Sequence, residues 1–130
     1  MIKQFGFSEE EYARVRSWLL SAFNDRCTFN ESELLENLRS NFWLLVTTEH
    51  AASVIEIVDN DGELYANVLL LGGQKGKALR EIIPAHETLC EFLKVEGFTK
   101  VLGTPRKELY RVLKINGFKE EQEKLIKRLN

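Results

Sequence analysis

Leu64-Tyr65-Ala66-Asn67-Val68-Leu69-Leu70-Leu71 runs without a break into Gly72-Gly73-Gln74-Lys75-Gly76-Lys77-Ala78. The first eight residues have the length and composition of a strand, and the next seven form a glycine-rich basic stretch. Beyond them Leu79, Ile82, Ile83, His86, Leu89, Cys90 and Leu93 recur at helical spacing as far as Gly97, and Pro84 within that run predicts a kink or a restart. A strand that feeds a helix through such a loop is an anion-binding arrangement. Backbone N–H groups face outward at the helix start, and the helix dipole adds partial positive charge there. Lys75, Lys77 and Arg80 add full charges. The loop is neither a Walker A motif nor G-x-G-x-x-G, and glycines at such a place also serve as plain turn chemistry.

Upstream, Ser8 with Glu11 forms a capping-box pattern, with Phe7 and Tyr12 at staple positions. Tyr12, Val15, Leu19, Ala22 and Phe23 then predict one buried helical face over about 16 residues. Asn30 with Glu33 opens a second, shorter helix that buries Leu34, Leu35 and Leu38. The period changes at Asn41–Thr48, a strand by type, followed by Ser53–Val58 and Leu64–Leu71. Asp59-Asn60-Asp61-Gly62 joins the last two as a hairpin, so the three read as an antiparallel meander. Downstream, Phe98–Gly103 is a short strand, and Thr104-Pro105 caps a helix with Leu109, Val112 and Leu113 inward and Asn116-Gly117 at its end. In the tail, 118–130, local propensity favours helix, while the need to cover an edge beside Thr99–Gly103 favours a strand; we expect the strand. The order makes residues 1–130 a single domain of α+β, or mixed α/β, class.

With 130 residues, 44% apolar and 10% aromatic, the chain is long enough to bury a core without staples. The net charge of −2 argues against an extended nucleic-acid footprint, yet it is unevenly spread. Residues 1–71 carry 5 basic and 12 acidic side chains, and residues 72–130 carry 13 and 8. An acidic half therefore precedes a basic half that starts at the glycine loop. Cys27 and Cys90 have no CxxC partner and read as free thiols, and no metal site is expected. No signal-peptide pattern and no long apolar run is present, so the expected location is cytoplasmic, with no membrane partner.

Order and motif together resemble the GNAT superfamily of N-acetyltransferases, over most of the chain and most strongly from Leu64 to Phe118. The family loop, Q/R-x-x-G-x-G/A, is half matched by Gly76-Lys77-Ala78. Gly73 stands at the Gln/Arg position, with Gln74 one place late. A helix ending in Gly117-Phe118 matches a second signature, although Leu113 occupies the place of the usual tyrosine and Tyr110 lies one turn earlier. The resemblance implies two N-terminal helices, a three-strand meander, a Gly-loop helix, a strand, a helix and a C-terminal strand. It implies acetyl-CoA (or CoA) as cofactor, with the amides of Lys75, Gly76, Lys77 and Ala78 on the pyrophosphate and Gln74 beside them. Leu69, Leu70 and Leu71 would pair with the pantetheine, and Arg106 would meet a phosphate. The acceptor would be a small-molecule or protein amine, and the protein a monomer or homodimer.

Candidates for chemistry are Tyr110 as the acid, or as a half-buried helix tyrosine, and Glu56 as the base, or as a solvated strand residue. Asn67 either pairs across the sheet or lines a site where the central strands separate. Glu63 opens the third strand, His50 reads as a surface residue, and His86 as a satisfied boundary histidine. Trp18 and Trp43 read as core, and Arg106, Lys107, Arg111 and Lys114 as a solvated helix face. Two further readings remain open. One is a GNAT fold without chemistry, used for interaction or structure, as in small GNAT-like proteins of phage. The other is a cofactor-free α+β regulator whose acidic helices, around Glu9–Glu11 and Glu31–Glu36, form the working face.

Overall fold

A computed structural model describes residues 2–23, 27–103, 114, 117, 119–121 and 124–129. The chain opens with a two-residue strand, β1 (Gln4–Phe5), too short to leave any period in the sequence. Helix α1 (Glu9–Ser21) starts at Ser8, whose side chain accepts the Glu11 N–H. The capping box expected there is only half formed, because the Glu11 carboxylate turns inward to other partners. Helix α2 (Glu31–Arg39) carries the complete box between Asn30 and Glu33. Strands β2 (Trp43–Thr47), β3 (Ala51–Asn60) and β4 (Glu63–Gly73) form the expected antiparallel meander. Helix α3 (Ala78–Val95) follows and is continuous through Pro84, so the chain does not restart there.

Strand β5 (Lys100–Gly103) lies parallel to β4. The helix expected after Thr104, with Arg106, Tyr110 and Leu113 on it, lies outside the described residues. The tail is extended, as a hairpin of β6 (Lys119–Glu121) and β7 (Lys124–Arg128) rather than one strand. β7 pairs with β5 and β6 takes the outer position, giving the sheet order β1-β2-β3-β4-β5-β7-β6.

Each face of the sheet carries its own core. On one, α1 and α2 bury Tyr12, Val15, Leu19, Leu34 and Leu38 against Leu45, Val54 and Leu70. On the other, α3 buries Leu89, Cys90 and Leu93 against Ile55, Ala66, Val101 and Leu125. Alternation along β3 sends Val54 and Ile55 to opposite faces, which fixes the register of the meander. Trp18 and Trp43 are half-buried at the border of the α1/α2 core. Cys27 is half-buried and Cys90 buried, both as free thiols.

Strand β4 carries two irregularities near the entry to α3. Val54 pairs with Leu70 and Ile55 with Val68, so Leu69 is an extra residue with no partner on β3, a β-bulge. Gly72 and Gly73 belong to the strand, not to the loop as their composition suggested. A Cβ at Gly72 would fall inside the contact radius of the Trp18 carbonyl oxygen, and one at Gly73 would lie 2.5 Å from the His50 oxygen. These glycines let α1 and the β2–β3 turn close onto β4.

Candidate active site

Strand β5 ends opposite Val68, where Gly103 is its partner. Past that point, among the described residues, β4 has no strand on its β5 side, and Leu69–Gly73 offer an open edge. Leu69 and Leu71 are half-buried, whereas Leu70 is buried in the α1/α2 core. The edge leads into a cleft of about 500 Å³ lined by Leu71, Gly73, Gln74, Lys75, Gly76 and Arg80, among others. Ala78 also lines it.

The loop proper is Gln74–Lys77. Gly76 has φ +85°, a left-handed conformation that suits glycine. The Lys77 and Ala78 amides donate inward to the Gln74 carbonyl at 3.1 and 3.0 Å. The N–H groups of Lys75, Gly76, Leu79 and Arg80 have no acceptor among the described residues. Helix α1 has a side-chain cap and three glutamates in its first turn, and α2 has a cap and two. Helix α3 has no side-chain cap, and Lys75, Lys77 and Arg80 stand about its start. Unsatisfied amides and three cations at a helix N-terminus favour a polyanion.

Glu81, in the first turn of α3, is the exception to that positive field. Its carboxylate accepts from Thr48 Oγ1 at 2.5 Å and from the His50 N–H at 2.6 Å, and the His50 ring Nδ1 closes on its second oxygen. Burial raises the Glu81 carboxyl pKa, but these bonds outweigh it and hold the group down to about 2. An ionised carboxylate only accepts, so the ring proton sits on Nδ1. His50 is therefore not the free surface residue that the sequence suggested. Glu49, His50 and Glu81 bring ligand-type atoms within 4.8 Å of one another. With both Glu81 oxygens already accepting, the group is a hydrogen-bonded cluster.

At the other end of the open edge, Glu56 and Asn67 face each other across β3 and β4. The Asn67 amide donates to Glu56 Oε1 at 3.4 Å, and Trp43 of β2 is the neighbour of Glu56 on the other side. Asn67 thus pairs locally and also stands one residue before the point where β4 and β5 part. Glu56 is half-buried and has no cationic partner among the described residues. Several other carboxylates are engaged: Glu63 by Lys100 and Thr99, Glu9 by Arg39, Glu31 by Arg16, Glu11 by Arg14. Much of the acidic character of α1 and α2 is therefore spent within the protein. His86 is half-buried, with Cys90 Sγ 3.4 Å and Lys127 Nζ 3.2 Å from its Nε2. Burial first, and the Lys127 charge second, lower its pKa to about 4.

This architecture recurs among solved structures. An acetyltransferase of the GNAT family from Staphylococcus aureus Mu50 superposes with a TM-score of 0.74 at 13% identity, each chain covering 100% of the other. The fold is that of the GNAT acetyltransferases. A GNAT family N-acetyltransferase from Escherichia coli in complex with CoA matches with a TM-score of 0.66 at 16% identity, over 100% of this chain and 81% of that one. The Escherichia coli ribosomal-protein-S18-alanine N-acetyltransferase matches with a TM-score of 0.67 at 11% identity, over 100% and 95%. No family model and no curated protein matches the sequence. The GNAT likeness thus lives in the course of the backbone and not in the sequence.

Sequence reasoning missed the His50–Glu81 contact, the inward turn of Glu11 and the bulge at Leu69. A lone acidic residue directly after the basic run Lys75–Arg80 was the one available signal for Glu81.

Proposed function

We propose that the protein binds acetyl-CoA and transfers the acetyl group directly to an amine. The observation that carries this reading is continuity: an open strand edge, Leu69–Gly73, runs into the uncapped, cationic start of α3. Lys75, Gly76, Leu79 and Arg80 would hold the pyrophosphate through their backbone amides, with Lys75, Lys77 and Arg80 adding charge. Leu69 and Leu71 would pair main chain to main chain with the pantetheine, which needs no special side chain. Acetyl-CoA bound there supplies an activated thioester carbonyl. Glu56 lies at the acyl end of this line and would take the proton that the acceptor ammonium must lose before attack. Asn67 holds that carboxylate in place, and a carboxylate with no cationic partner among the described residues suits a cationic amine. Tyr110 is the proposed proton donor to the departing CoA thiolate.

Calorimetric titration of acetyl-CoA and CoA tests the cofactor. Absence of binding at millimolar ligand would refute it. Thiol release over a panel of amines, with Glu56→Gln and Tyr110→Phe as controls, tests turnover. Leu113, at the place where GNAT enzymes usually carry a tyrosine, favours a second reading: a GNAT fold that binds CoA without turnover. CoA binding with no thiol release from any amine would select it.

A further inference from the structure

Residue His50 touches the first residue of the Gln74–Lys77 loop and the first turn of the helix that follows it. Its carbonyl oxygen accepts the Gln74 N–H at 2.8 Å, where the loop leaves β4. Its own N–H and its ring Nδ1 go to Glu81, in the first turn of the helix that the loop enters. The turn that carries His50 is itself fastened from behind. Arg14 of α1 donates to the Thr48 and Glu49 carbonyls at 2.8 and 2.7 Å. The same guanidinium makes two 2.8 Å bonds to the buried Glu11, which also accepts from Thr47. A chain of polar bonds thus runs from the interior of α1, through the β2–β3 turn, to the start of α3.

We propose that His50 and Glu81 form a clamp that sets the geometry of the Gln74–Lys77 loop for anion binding, making both positioning residues for the acetyl-CoA pyrophosphate. The inference rests on the acetyl-CoA reading for its ligand, and on the hydrogen bonds alone for its mechanics. Two physical points support it. Free N–H groups bind an anion well only when they converge without rearrangement, and short glycine loops have many alternative conformations. A carboxylate in the first turn of α3 would otherwise stand beside the incoming phosphates and repel them. Folding Glu81 back onto Thr48 and His50 turns its carboxylate, still negative, away from the cleft lining and uses it as a tether. Neither residue contacts the cleft as its lining, so the clamp acts through the loop.

Hydrogen exchange on the ligand-free protein tests the mechanics. The Gln74, Lys77 and Ala78 amides are the hydrogen-bonded ones of the loop. In Glu81→Ala they should exchange on the order of tenfold faster, with a smaller effect in Glu81→Gln and His50→Ala, while Val68 and Leu70 in β4 keep their protection. Unchanged exchange at the three amides would overturn the clamp. Ligand titration tests the consequence. CoA should bind roughly tenfold more weakly to the variants, whereas S-acetyl-pantetheine, which lacks the pyrophosphate, should bind as to the wild type. Equal losses for both ligands would mean a merely structural role and would overturn the assignment. A wild-type protein that ignores CoA would refute the acetyl-CoA reading instead, and the exchange result would still decide whether the clamp holds the loop.

Discussion

Glu11 is the most informative single residue to perturb, because a buried carboxylate must be sustained by its partners. It is 6% exposed, receives two bonds from Arg14 and one from Thr47 at 2.6 Å, and sits between α1 and β2. The Arg14 bonds, opposed by burial and assisted by Thr47, bring its carboxyl pKa from about 4.5 to about 2. A group so displaced contributes roughly 3 kcal/mol to stability at neutral pH, at ~1.4 kcal/mol per tenfold change in proton affinity. Because the folded-state value is the lower one, the contribution is complete above about pH 5. It fades as pH falls through the window toward 2. Glu11→Gln keeps the size and removes the charge, so it should cost about 2–3 kcal/mol at pH 7, or on the order of 10 °C in Tm for a chain this long. Urea denaturation of both proteins at pH 7, 5 and 3 would follow the difference, which should narrow toward acid as the wild type loses its advantage. A gap that stays constant from pH 7 to 3 would refute the argument, since the loss would then be one of shape and not of ionisation. A gap below ~0.5 kcal/mol at pH 7 would mean that the bonds to Arg14 barely repay the burial.

Gly72→Ala places a methyl group against the Trp18 carbonyl, which belongs to helix backbone and cannot swing aside. It should lower stability by about 2 kcal/mol or more in a thermal melt, and a neutral result would contradict the close packing of α1 on β4. His86 should remain a neutral imidazole down to about pH 4 in an NMR titration, because burial and the neighbouring Lys127 disfavour its charged form. Its unfolded form takes up a proton at higher pH, so His86 erodes stability as pH falls from about 6.5 toward about 4. A titration midpoint near 6.5 would show that the ring is solvated.

Local signals in the chain read true where they concern one element at a time. Ser8 and Asn30 cap their helices, the Asp59–Gly62 turn joins β3 to β4, and Tyr12, Val15 and Leu19 form one buried face. Period and capping are written within a few residues and survive into the fold. What was not legible is pairing between distant residues. Glu11 meets Thr47 36 positions later, and His50 meets Glu81 31 positions later. No periodicity encodes such meetings. The glycines misled for a related reason: Gly72 and Gly73 resemble turn chemistry, but the absence of a Cβ there serves close approach by α1 and the β2–β3 turn. Glu56 could be read from the sequence as a base or as a solvated strand residue, and only the assembled sheet puts it beside Asn67 and next to the parting of β4 from β5.

The parallel seam between β4 and β5 spans four residue pairs, Tyr65–Val68 against Lys100–Gly103, and α3 must be crossed before it can form. Contacts of the meander close over a few residues of turn, whereas this seam closes over a loop of more than thirty. Loop closure costs entropy before the pairing repays it, so the β2–β4 meander has the kinetic advantage and the seam forms late. The β6–β7 hairpin attaches to the sheet through β5 and must wait for it. Assembly therefore has a direction, from the helical and meander half toward the C-terminal strands. The edge left open at Leu69–Gly73 lies at the junction between what forms early and what docks last.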